Sequence, residues 1–179
     1  MKLVYIHGAN ATSESFNYIK SKLGTGLDLN YDSRNGFENN LKDMQSALED
    51  HKDLVFVAHS LGGIYSLHLA NSMPSAVKGA VTLSTPYGGA EVADYAQYFL
   101  PFSRLMRDIG PSSWAMREAA KIKVQHPWCN VVTVQGRSPF IVVANDGVVS
   151  IQSQLHHADM ELIDVDYNHY EVVLAEPVI

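Results

Sequence analysis

The sequence has a single cysteine, Cys129, in 179 residues, so no internal disulfide can staple it. That scarcity favours a reducing compartment, and a cytoplasmic location is the expectation. No apolar run approaches the roughly 20 residues that a membrane-spanning helix needs. Residues 1–6 are apolar for only a few positions before His7 and Gly8, which reads as a buried strand and not as a signal peptide. Positive charge is also sparse: 13 Lys and Arg stand against 19 Asp and Glu, a net charge of -6. With no basic cluster anywhere, nucleic acid is excluded as an expected partner. Charged residues make up 18% and hydrophobic residues 46%, which excludes the disordered class. A chain of this length buries roughly 70% of its extended surface, enough to fold without disulfide or structural metal. One domain spanning residues 1–179 is expected.

What the chain does contain is a regular alternation of strand and helix patterns. Residues 3–6, 27–31, 53–58, 80–83, 131–134 and 160–165 read as strands. The run Leu54-Val55-Phe56-Val57-Ala58 is continuously apolar, as a central parallel strand covered on both faces must be. Helices are predicted over 13–23, capped by Thr12 or Ser13 and stopped by Gly24, and over 61–73, stopped before Pro74. Phe37, Leu41, Met44, Ala47 and Leu48 recur every three or four residues and predict a third helix. Strands alternating with helices imply an α/β protein, a parallel sheet between two helical layers. Residues 91–123 break the rhythm. They hold no strand-like run, and Phe99, Phe102, Leu105 and Met106 sit at helical spacings, followed by a second piece with Trp114. One or two short helices inserted over the sheet are expected.

Parallel α/β sheets bind ligands at the carboxyl ends of their strands. At one such end stands Ala58-His59-Ser60-Leu61-Gly62-Gly63. A serine on a sharp strand-to-helix turn needs small residues two positions before and after it, because the chain doubles back there. Ala58 and Gly62 meet that size requirement. The turn lifts the hydroxyl over a helix N-terminus, where developing negative charge is favoured. An N-cap serine alone would explain neither Gly62 nor Gly63, both of which weaken a helix.

This hexapeptide, following a Val-rich strand, resembles the nucleophile elbow of α/β-hydrolase-fold serine hydrolases, in particular the small lipases and esterases. Other segments are similar in the same order. His7-Gly8-Ala9 resembles the oxyanion loop, and Ser84-Thr85-Pro86-Tyr87-Gly88-Gly89 a Thr-Pro-x-x-Gly segment of lipases. Asn145-Asp146-Gly147-Val148-Val149 resembles the acid loop, and Asn168-His169-Tyr170-Glu171-Val172 the histidine loop. Ala58 stands where the family usually has glycine. The resemblance implies a minimal α/β-hydrolase fold with a mostly parallel sheet of about six strands and a short helical cap over 91–123.

It also implies roles. Ser60 would be the nucleophile, His169 its base and Asp146 the acid that orients the base, in the family's chain order. Asp164 and Asp166 are the substitute acids, and Asn-Asp-Gly is in itself a turn signal. Two backbone amides would hold the oxyanion: Leu61, and Ala9 with Asn10 as its neighbouring alternative. Phe99, Phe102, Leu105, Met106 and Trp114 either line an acyl site or form an amphipathic face packed on the core. The expected activity is hydrolysis of a small-molecule or lipid-like carboxylic ester, with no cofactor and no metal. A thioesterase or acyltransferase with the same residues, or a binding protein on the same scaffold, are the alternatives.

Overall fold

The computed structural model describes residues 1–90 and 104–176. Among them six strands form one parallel sheet: β1 Lys2–Ile6, β2 Leu27–Leu29, β3 Leu54–His59, β4 Val77–Leu83, β5 Trp128–Thr133 and β6 Glu161–Val165. The apolar runs work as expected because both faces are covered. In β1, Val4 and Ile6 pack into one core while Tyr5 packs into the other. In β3, Phe56 and Ala58 face the first core and Val57 the second.

The first core lies beneath α2 (Phe37–Leu48), α3 (Leu61–Ser72) and α5 (Trp114–Ala119). Phe37, Leu41, Met44 and Leu48 turn one stripe of α2 inward, as their spacing predicts. Helix α3 is different. Every residue from Leu61 to Ala70 is buried, because the sheet and two helices surround it, which explains why its sequence is apolar all round. The second core is closed by α1 (Asn17–Leu23) and a 3-10 turn at Glu171–Leu174, through Ile19, Val172 and Val173. The predicted helix over 13–23 begins as a separate 3-10 turn, Ser13–Phe16, because Phe16 leaves helical geometry (φ -92°, ψ 7°). Short helices α4 (Arg104–Ile109) and α6 (Ile151–Gln154) complete the described elements.

The strand order is β2-β1-β3-β4-β5-β6. From β1 the chain moves outward to β2, then returns to the other side of β1 to lay down β3. The order therefore reverses between β1 and β3, and a crevice opens where the connections leave in opposite directions. Those two strands are held in register, with Ile6 opposite Ala58. The segments just beyond that pair are His7-Gly8-Ala9 and Ser60.

Candidate active site

Ser60 sits between β3 and α3 with φ 52° and ψ -123°, a conformation that non-glycine residues rarely adopt. Its N–H donates to the Leu83 carbonyl at 2.8 Å, so the turn is fastened to the neighbouring strand. A Cβ at position 62 would collide with the backbone carbonyl of Ile6 and lie 2.7 Å from that of His7. Glycine there is what lets α3 start directly against the end of β1.

His169 lies in the loop after β6, and its ring reaches back to Ser60. Ser60 Oγ and His169 Nε2 are 3.1 Å apart, and His169 Nδ1 is 2.9 Å from Asp146 Oδ2. An ionised carboxylate only accepts, so Nδ1 carries the proton and Nε2 accepts from the Ser60 hydroxyl. The His169 backbone N–H donates to the Asp146 carbonyl at 3.0 Å, which ties the two loops together.

Asp146 is buried at 1% exposure, yet all its lone pairs are used. Oδ1 accepts from the N–H groups of Val148 (3.0 Å) and Val149 (2.7 Å), so the turn expected of Asn-Asp-Gly is present. Oδ2 accepts from Thr133 Oγ1 at 2.7 Å and Gln154 Nε2 at 3.3 Å as well as from His169. Burial pushes this carboxyl up, but the His169 bond and charge, the Thr133 hydroxyl and the Val149 amide outweigh it and hold it below the ordinary range. Asp164 and Asp166 are exposed on and beyond β6, away from this arrangement. Thr133 and Gln154 carried no signal in the sequence. Each is one polar residue without a motif.

The amides also sort themselves. Leu61 N–H opens α3, where it has no partner within the helix. Asn10 N–H donates to Ser33 Oγ at 2.9 Å and is committed elsewhere. Ala9 N–H has no acceptor among the described residues. His7 fixes its direction. The Tyr31 N–H donates to His7 Nε2 at 3.1 Å, so His7 Nδ1 carries the proton and donates to the Gly8 carbonyl at 2.7 Å. In a trans peptide the C=O and the following N–H point opposite ways, so holding Gly8 O turns the Ala9 N–H to the other side.

Ser60 and His169 open onto a cleft of about 360 Å³ whose apolar wall includes Ala9, Leu61, Pro86, Leu105, Ile109 and Val173. Leu105 therefore lies where an acyl-lining residue was expected. Trp114 does not. Ser113 caps α5 and turns Ala115, Met116 and Ala119 into the core. Trp114 is left on an adjoining face, stacked on His68 at 5.6 Å in a separate groove. Met106 is on α4, and the positions of Phe99 and Phe102 lie outside the described residues.

A six-stranded parallel sheet with a strained serine at its switch point defines a class of α/β enzymes. The alpha/beta hydrolase family model matches residues 3–140, and the chain belongs to that family. The match includes Ala9 and Ser60 and ends before Asp146 and His169. Three solved structures show the same fold at low identity. The metagenomic carboxyl esterase MGS0156 is 16% identical with a TM-score of 0.76, over 94% of this chain and 64% of that one. The mature Bacillus licheniformis lipase BlEst2 is 14% identical with a TM-score of 0.65, over 96% and 86%. An extracellular alpha/beta-hydrolase from a Paenibacillus species is 16% identical with a TM-score of 0.60, over 98% and 94%. No curated protein matches the sequence.

Proposed function

We propose that this hydrolase cleaves neutral carboxylic esters with an apolar acyl group through an acyl-enzyme on Ser60. The observation that carries this reading is the hydroxyl–imidazole–carboxylate line, 3.1 and 2.9 Å, opening on an apolar cleft. His169 Nε2 takes the Ser60 proton as Oγ attacks the ester carbonyl carbon. The carbonyl electron pair moves onto oxygen, held by the N–H groups of Leu61 and Ala9, and one such donor is worth on the order of 3 kcal/mol. The intermediate collapses, the C–O bond to the alcohol breaks, and the leaving oxygen receives the proton from His169. Water, deprotonated by His169, then releases the acid and restores Ser60. Asp146 stays ionised throughout and stabilises the imidazolium.

The chain acts in this reading as one domain in the cytoplasm, on a small-molecule substrate, with part of the 91–123 segment forming a cap. Among the described residues no helix is long and apolar enough to cross a membrane. Hydrolysis of nitrophenyl esters from acetate to dodecanoate tests the reading, with fluorophosphonate labelling beside it. Ser60→Ala is expected to lose both labelling and turnover, the latter by a factor of about 10⁴ or more. Labelling that persists in Ser60→Ala, or native protein inert towards every ester, overturns it.

A further inference from the structure

We propose that His59 is a positioning residue for this reaction, whose imidazole grips the backbone carbonyl of His169 and so keeps the His169 ring aimed at Ser60. The proposal rests on the roles given above to Ser60 and His169. His59 Nε2 lies 2.8 Å from the His169 carbonyl oxygen. A carbonyl only accepts, so Nε2 carries the proton and donates. Burial and the neighbouring His169 charge push the His59 ring down to about 3, which keeps it neutral with one N–H to give. That N–H is spent on His169.

The geometry explains why such a bond matters here. His169 descends from β6, three places along the sheet from the β3 strand that delivers Ser60. Fixing a proton acceptor against a hydroxyl through three intervening strand pairs would leave it to the sum of their small motions. His59 removes that distance, because it is joined to Ser60 by one peptide bond. The base is then held at three points: its N–H by the Asp146 carbonyl, its Nδ1 by the Asp146 carboxylate, and its C=O by His59. The two rings lie 4.9 Å apart and tilted by 52°, so His59 also walls the space the base would swing into. Space for His59 is reserved by Gly8. A Cβ at that position would stand 2.9 Å from His59 Nδ1 and 3.2 Å from Ser60 Cβ, pressing on both at once. The glycine of the first loop and the histidine of the elbow therefore fit each other.

The test compares native protein with His59→Leu, which fills the volume without a donor, and His59→Gln, whose side-chain amide keeps an N–H at similar reach. Turnover of a nitrophenyl ester in His59→Leu is expected to fall about 100-fold in kcat with KM nearly unchanged, as a misplaced reacting group produces. His59→Gln is expected to recover kcat to within about fivefold of native. A His59→Leu enzyme within about threefold of native, or a folded His59→Gln enzyme as impaired as His59→Leu, overturns the proposal. A second readout needs no turnover. In a Ser60→Ala background, the low-field proton NMR signal of His169 Nδ1–H on Asp146 should be sharp with His59 or Gln at position 59 and broadened or lost with Leu. An equally sharp signal in the His59→Leu protein overturns the assignment. Native protein without Ser60-dependent turnover refutes the proposed function instead, and the NMR comparison still decides what His59 does.

Discussion

At the scale of single residues, the Asn10 amide is spent on Ser33 Oγ, while the Ala9 amide next to it has no acceptor among the described residues. The grouping of Ser60, Asp146 and His169, which the structure brings within hydrogen-bond reach, was legible in the sequence because each stands in a short motif in a turn or loop that follows a strand. The choice between Ala9 and Asn10 was not, because it turns on whether an amide is already bonded, and Ser33 is 23 positions away. Thr133 on β5 and Gln154 at the end of α6 carried no signal for a related reason: a lone polar residue reads as nothing until the carboxylate it serves is in view. Ser60 itself makes a prediction about stability. A serine at φ 52°, ψ -123° is strained by roughly 1–3 kcal/mol. Glycine adopts this geometry freely but adds freedom to the unfolded chain, worth about 0.5–1 kcal/mol against it. Ser60→Gly should therefore raise the urea midpoint, by an amount equivalent to about 1 kcal/mol, while abolishing turnover. A lower midpoint would show that the elbow is relaxed.

At the scale of elements, pattern gave the helices and strands but not their neighbours. The spacing of residues 37–48 defined α2 to the residue, since one buried stripe is all such a helix needs. The inserted segment was harder, because an apolar helical face looks the same whether it meets a core or a cleft. In the structure both readings hold on α4, whose Leu105 and Ile109 line the cleft and also pack against the first core, whereas α5 packs Ala115 and Met116 into that core. One ion-dipole contact links that insertion to the body. Helix α2 begins after Gly36, which has no side chain to cap it, and Asp108 Oδ2 of α4 accepts from Phe37 N–H at 2.8 Å instead. Asp108→Ala should lower stability by about 1 kcal/mol, the usual loss for a missing cap. Because the same contact tethers the cleft wall, KM for longer acyl chains should rise more than KM for acetate. An unchanged melting temperature together with an unchanged acyl profile would refute the tether.

At the scale of the whole molecule, acid should act through buried imidazoles. Burial lowers the values of His7, His59 and His68 from 6.5, His59 to about 3. Between the unfolded value and the folded one, the unfolded chain binds more protons, so stability present above pH 6.5 is lost as pH falls. Asp146, held below 3.8, adds its own loss at still lower pH. Denaturant midpoints should thus fall steadily from pH 6.5 downward, and His59→Gln should make the fall shallower by roughly 1 kcal/mol per pH unit. Equal slopes for the two proteins would contradict a neutral His59.

The sheet order has a further bearing on how the molecule would fail. Ser60 and Ala9 hang from β3 and β1 at the hub, whereas His169 hangs from β6, the outermost strand, whose first four residues face solvent. Peripheral strands loosen before central ones when a protein is warmed. Heating would then detach His169 from an otherwise intact interior, and under the proposed mechanism the molecule would still look whole to a spectrometer after it had fallen silent.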